Sequence, residues 1–117
     1  ILIEKTNPEY VNFEFDSYWF AEAGADPLLW MKRLGDRLKL YHINDRGTRI
    51  EGASMTPILN SDSMELGYGN MNLTEMVEQA LSVGVDAVIL ETHKNWVGGS
   101  PVKSLEISAE FLNNHVK

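Results

Sequence analysis

The chain contains no cysteine. Disulfide staples and thiolate metal sites are therefore excluded, and the redox compartment stays open. No run approaches the roughly 18 apolar residues that a membrane-spanning helix needs, and no basic-then-apolar leader opens the sequence. Basic residues are few: Lys and Arg total 10 against 17 Asp and Glu, giving a formal net charge of −7. Phosphate backbones are recognised by basic faces, so nucleic acid is not an expected partner, and neither is a membrane. Histidine is scarce as well, at three residues. What remains is a chain of 117 residues that is 44% hydrophobic, enough for one domain with a modest core and no covalent staples. Cytoplasmic localisation is the default expectation.

The chain opens on Ile1, and residues 1–6 read as the end of a helix stopped by Asn7-Pro8. This suggests the C-terminal piece of something longer, the alternative being a mature or trimmed terminus that happens to be apolar. In residues 10–16, Val11, Phe13 and Phe15 alternate with Asn12, Glu14 and Asp16, the period of a strand. On a surface strand Glu14 and Asp16 would face water; on a barrel strand they would face a polar interior, with Asp16 reaching a site. Residues 17–25 read as an aromatic-rich loop, in which Trp19 either stacks on a ligand or fills the space beside the next helix. Asp26-Pro27 starts that helix, with Leu28, Met31 and Leu34 at helical spacing until Gly35.

A second strand spans residues 37–43, with Leu38, Leu40 and His42 on one face; a lone histidine there is either a satisfied core residue or, given the carboxylates at the neighbouring strand ends, part of a site. Residues 46–70 look irregular and include Gly67-Tyr68-Gly69; a segment of this length is either a binding loop or an ordinary connection. Asn72 and Glu75 form a capping box ahead of the stripe Leu73, Met76, Val77, Ala80 and Leu81. Residues 85–90 have the composition of a strand covered on both faces, reached by a parallel crossover. Ser100-Pro101 opens a last helix with Val102, Leu105, Ala109, Leu112 and Val116 as its stripe.

Three strand candidates thus end on metal-type residues: Asp16, His42 and Glu91. Two carboxylates and an imidazole suit a divalent ion that leaves room for substrate oxygens. His93 alternates onto the side of Glu91. A polar cluster beyond the C-terminal ends of parallel strands is where α/β proteins hold ligands.

The segments Val11-Asn12-Phe13-Glu14-Phe15-Asp16-Ser17-Tyr18-Trp19, Ala23-Gly24-Ala25-Asp26-Pro27, Gly35-Asp36-Arg37 and His42-Ile43-Asn44-Asp45 resemble, in order and spacing, the xylose-isomerase-like sugar phosphate isomerase/epimerase superfamily. The resemblance implies an α/β fold in which residues 1–117 are the last three strand-helix units of a (β/α)8 TIM barrel, whose N-terminal part is missing. It implies a divalent ion, Mn²⁺ or Mg²⁺ and in some relatives Co²⁺ or Zn²⁺, held by glutamate, aspartate, histidine and glutamate. Asp16, His42 and Glu91 match the last three of these ligands. The implied activity is a metal-dependent isomerase or epimerase of carbohydrate metabolism, moving a proton on a sugar or sugar phosphate through an enediolate, with Glu91 as one acid/base.

By the same likeness Trp19, Asn44, Asp45 and His93 are substrate-binding candidates, with a solvated strand-end carboxylate as the alternative for Asp45. Arg49 would reach a phosphate or be an ordinary loop residue. Tyr68 departs from the family's Gly-Glu-Gly turn. The chain alone is expected to be inactive, lacking one ligand and most of the substrate wall. Its open sheet edges are expected to drive self-association into a homo-oligomer. Two rival readings are a binding or assembly module that kept the barrel without the chemistry, and an abasic-site endonuclease of the related AP endonuclease family 2 type. The second needs a richer histidine set than three.

Overall fold

The computed structural model describes residues 1–49 and 61–116. The elements in chain order are α1 (Leu2–Lys5), β1 (Phe13–Asp16), α2 (Ser17–Glu22), α3 (Pro27–Leu34), β2 (Leu38–Ile43), β3 (Asp45–Gly47), β4 (Asp62–Met64), α4 (Leu73–Ser82), β5 (Ala87–Leu90) and α5 (Pro101–His115). Strands β1, β2 and β5 form one sheet with β2 in the centre, and both pairings are parallel. Each of the three strands leads on to a helix, β2 by way of β3 and β4, which is the repeat of a (β/α)n barrel and accounts for three of its units. No helix among the described residues is long and apolar enough to cross a membrane.

The helices begin where the sequence supplies a side-chain acceptor. Asp26 accepts from the Leu29 amide at 3.2 Å, Asn72 from Glu75 at 3.5 Å and Ser100 from Lys103 at 3.4 Å. A cap of this kind contributes about 1 kcal/mol. Pro27 and Pro101 fill first-turn positions, where a missing N–H costs nothing.

The sheet buries the face away from the carboxylates. Phe15 pairs with Tyr41, and Tyr41 with Val88, while Ile43 pairs with Leu90. Phe15, Tyr41 and Ile43 are buried and join Met31 and Leu34 of α3 and Leu73, Met76, Val77 and Ala80 of α4 in one core. The Tyr41 hydroxyl lies 3.2 Å from Ser17 Oγ and donates to Met76 Sδ at 3.6 Å, which keeps this polar atom partnered inside an apolar layer. Arg37 ties the start of the chain to the sheet by donating to the carbonyls of Val11 and Ile3 and to Thr6 Oγ1, with its guanidinium 4.7 Å from the Phe13 ring centre.

Four expectations from the sequence change. Residues 17–25 do not form an aromatic loop throughout, because Ser17–Glu22 is helical, capped by Asp16 through the Trp19 amide at 3.2 Å. The segment expected to be irregular carries an antiparallel pair, with Asp45 opposite Met64 and Gly47 opposite Asp62; residues 50–60 of it lie outside the described residues. Among the described residues strand β5 is not covered on both faces: it stands at the edge of the sheet, with Ala87 exposed and the rest half-buried.

The fourth change concerns α5, whose expected stripe turns inward only in its C-terminal part, where Leu112 and Val116 pack against the core. Val102 and Leu105 are exposed, and the buried residues are Ser104 and Ser108. The reason is polar: Ser108 Oγ accepts from the Leu66 amide at 3.1 Å, and Ser104 Oγ binds Glu65 while accepting from the Val97 amide at 2.9 Å. Apolar periodicity cannot register a helix face that docks through hydroxyls.

Glu65 is the hub of that docking. It is buried, pairs with the guanidinium of Arg49, and accepts from Ser104 Oγ and from the Val97 amide at 3.1 Å. Burial pushes its carboxyl up, but the bonds from Ser104, Arg49 and Val97 outweigh that and hold it below the usual glutamate range. A lowered folded-state value means that Glu65 contributes stability above the unfolded value, about pH 4.3, and loses it as pH falls through the lower folded value. Thermal melts should therefore show the wild type losing stability across that acid window more steeply than Glu65→Gln. Parallel pH curves for the two proteins would refute this role.

Candidate metal centre

The pleat of a parallel sheet puts paired residues on the same face. Asp16 pairs with His42, and His42 with Ile89, so Asp16 at the end of β1 and His42 on β2 emerge side by side. Glu91, two residues beyond Ile89, emerges on that face past the end of β5, where its amide still bonds to the Ile43 carbonyl at 3.2 Å. The three residues offer ligand atoms that all lie within 4.8 Å of one another. His42 Nδ1 lies 3.6 Å from Asp16 Oδ2 and 3.7 Å from Glu91 Oε2. Three strand ends thus deliver two carboxylates and an imidazole nitrogen to one point.

The electrostatics of this point are unbalanced. Burial raises the Asp16 carboxyl, opposed by the Trp19 amide bond, while the Glu91 charge adds to the rise and His42 lowers it. Glu91 Oε2 is fully buried and has no hydrogen-bond partner among the described residues. A buried carboxylate oxygen left without a donor is costly. A cation between Asp16, His42 and Glu91 would remove that cost, so the donor set fits a divalent ion in charge and in chemistry.

The other candidates differ in how close they come. His93 Nε2 lies 3.2 Å from Glu91 Oε1, and its ring stands 5.8 Å from Trp19 and 6.2 Å from Tyr18 between centroids. Trp19 is 55% exposed, and its ring stands beside those of Tyr18 and His93. Asn44 follows His42 at alternate spacing and is buried, with both its amide oxygen and its amide nitrogen unpartnered among the described residues.

Asp45 is engaged elsewhere. Oδ1 accepts from the amides of Arg46 at 2.8 Å and Met71 at 3.2 Å, and Oδ2 from Gly67 at 3.0 Å and Gly69 at 2.9 Å. Burial pushes its carboxyl up and these four amides pull it back, leaving it above the usual aspartate range. Gly67-Tyr68-Gly69 is thus a turn wrapped on a buried carboxylate, with Tyr68 exposed at its tip. Gly67 needs its left-handed φ of +84°, and a Cβ on Gly69 would overlap the Asp45 carboxylate and the Arg46 carbonyl. Arg49 is likewise occupied, by Glu65 and by the Asn95 carbonyl at 3.2 Å.

One contact was not singled out from the sequence: His42 Nε2 lies 2.8 Å from Glu14 Oε1. The signal was present, since alternation puts Glu14 on the face of Asp16.

No family model matches the chain. Three curated relatives, each named inosose dehydratase, from strains of Mesomycoplasma hyopneumoniae, match with 41% identity over 44 residues, which is 38% of this chain and 15% of theirs. A solved sugar phosphate isomerase/epimerase from Parabacteroides distasonis superposes with a TM-score of 0.67 at 27% identity, covering 94% of this chain and 33% of that one. A second structure so described, from the same organism, gives 0.72 at 24% identity over 96% and 34%. A xylose isomerase domain protein from Planctomyces limnophilus gives 0.64 at 13% identity over 97% and 39%. In the last two the likeness is one of fold. The chain spans about a third of the length of these structures.

Proposed function

We propose, for a chain whose structural neighbours are sugar phosphate isomerase/epimerase and xylose isomerase domain proteins, that residues 1–117 are the C-terminal part of a divalent-metal-dependent sugar isomerase or epimerase. The observation that carries the reading is the convergence of Asp16, His42 and Glu91 within 4.8 Å at three adjacent strand ends, with Glu91 Oε2 buried and lacking a donor. Asp16, His42 and Glu91 would hold the ion, Mn²⁺ or Mg²⁺ fitting an oxygen-rich site with one imidazole. When bound, such an ion would polarise the carbonyl and neighbouring hydroxyl of a ketose and so make a proton on the adjacent carbon acidic.

The chain's own residues do the rest. Glu91 reaches the centre from the end of β5 and exchanges a proton with that carbon. His93, 3.2 Å from Glu91 Oε1, holds the outer oxygen of this carboxylate and so fixes which oxygen faces the substrate. Trp19 offers an apolar ring face to the carbon side of a sugar, which pairs well with aromatic surfaces. Asn44, with an unpaired amide at the end of β2, can bind a hydroxyl.

Titration calorimetry with Mn²⁺ tests the centre: one ion per chain is expected, and binding should fall in both Asp16→Asn and Glu91→Gln. Undiminished binding in both would overturn the assignment. The 117-residue chain alone should show little or no ketose epimerisation, because inverting a carbon needs a second acid/base on its opposite face. Rapid turnover by the purified chain would show that this surface is sufficient by itself.

A further inference from the structure

The loop behind β5 carries Glu91 and His93, and β4 with its flanking residues holds it. Ser63 Oγ donates to the Lys94 carbonyl at 3.0 Å, and the Asn95 side-chain amide donates back to the Ser63 carbonyl at 3.0 Å. Lys94 Nζ lies 3.0 Å from Asp62 Oδ2, and the Val97 amide donates to Glu65 at 3.1 Å. Arg49 Nε donates to the Asn95 carbonyl at 3.2 Å. Within the loop, Trp96 Nε1 donates to Thr92 Oγ1 at 2.9 Å. At its start, the Glu91 amide is fixed to β2 through the Ile43 carbonyl at 3.2 Å.

These ties meet at Asn95. Among the described residues it is the one non-glycine residue with a left-handed φ, at +64°. Asparagine tolerates that region better than most side chains, and such a conformation persists where its surroundings over-determine it. Here they do, because the side-chain amide is bonded to β4 and the carbonyl to Arg49. A glycine would adopt the bend without the tie to β4. An aspartate would keep shape and bend, but an ionised carboxylate has no proton to donate to the Ser63 carbonyl. We infer that Asn95 is a positioning residue, locking the loop onto β4 in the bend that brings Glu91 and His93 over the strand ends. It stands four positions beyond Glu91 and acts through the loop. With the loop locked, Glu91 Oε2 stays 3.7 Å from His42 Nδ1 and the His93 ring 5.8 Å from that of Trp19.

The inference takes its site from the metal-centre reading, yet its first test needs no ion. NMR of the metal-free chain should show ring-to-ring NOEs between His93 and Trp19 in the wild type, and their loss in both Asn95→Gly and Asn95→Asp. A wild type without these NOEs, or either variant with the full wild-type set, overturns the inference. Calorimetric titration with Mn²⁺ is the second arm. Asn95→Gly should bind about 3- to 30-fold more weakly than the wild type, the range by which residues tune a site they do not touch. A merely structural role would lower the melting temperature and leave the affinity of the folded chain unchanged, so equal affinities overturn the inference. Asn95→Gly retains the bend and is the variant expected to fold, which a cooperative melt above the titration temperature checks. If the NOEs respond as expected while Mn²⁺ binds neither protein, the inference stands as a statement about the loop and the metal-centre reading fails.

Discussion

Replacing His42 with alanine is expected to weaken Mn²⁺ binding by more than about 100-fold, beyond the 10- to 100-fold lost with an outer partner. Each tenfold corresponds to about 1.4 kcal/mol, so the expected loss is at least roughly 2.8 kcal/mol. The reasoning follows from position. His42 is on the central strand and stands between the other two ligand candidates, with Asp16 and Glu91 each under 4 Å from Nδ1. Removing it takes away the only nitrogen donor of the group and leaves Asp16 and Glu91 facing a gap with like charge. Calorimetric titration of the two proteins with Mn²⁺ decides the matter, and equal affinities would sink the metal-centre assignment.

Asp45→Asn is expected to cost about 2–4 kcal/mol of folding stability, although the substitution preserves shape. Both oxygens of Asp45 accept two amides each, from Arg46 and Met71 on one side and from Gly67 and Gly69 on the other. An asparagine side chain replaces one acceptor oxygen by an NH₂ group, which confronts two amide N–H groups with a donor. Hydrogen bonds to an ionised acceptor are worth roughly 1.5–3 kcal/mol each, and stranded buried donors add to the loss. The glycine turn would then lose the anchor that holds it against β3. Urea unfolding measures the effect, and a change within about 0.5 kcal/mol, typical of an indifferent surface site, would show that the turn is held by something else. Gly69→Ala should be destabilising for a complementary reason, since its new Cβ would occupy space held by the Asp45 carboxylate.

Much of the sheet and most of the proposed centre could be read from residue order. The alternation in Phe13-Glu14-Phe15-Asp16 and the capped stripe after Asn72 are local signals, and both survive in the structure, except that Leu81 of the stripe is exposed. The convergence of Asp16, His42 and Glu91 followed from each standing at or just beyond the end of a strand in a parallel sheet. Less legible was whatever depended on polar partners far apart in sequence. The fate of Asp45 is set by amides 22 to 26 positions away, and no pattern near Asp45 announces them. Ser104 and Ser108 read as the polar side of α5 until Glu65 and Leu66 are seen to need them. The exposed side of β5 is another case: its apolar composition suits a covered strand, but only tertiary placement says which neighbours are present.

The order β1-β2-β5 has one more consequence. The two outer strands are not paired with each other, yet each contributes a carboxylate to the same point. An ion held there would act as a clasp across the sheet, bound fully only when both outer strands are seated on β2. Ligand occupancy and strand docking would then be one equilibrium, with each favouring the other by the same free energy. In such a chain the last strand to arrive completes the centre, so loading the ion would report that the sheet has closed ranks from Asp16 to Glu91.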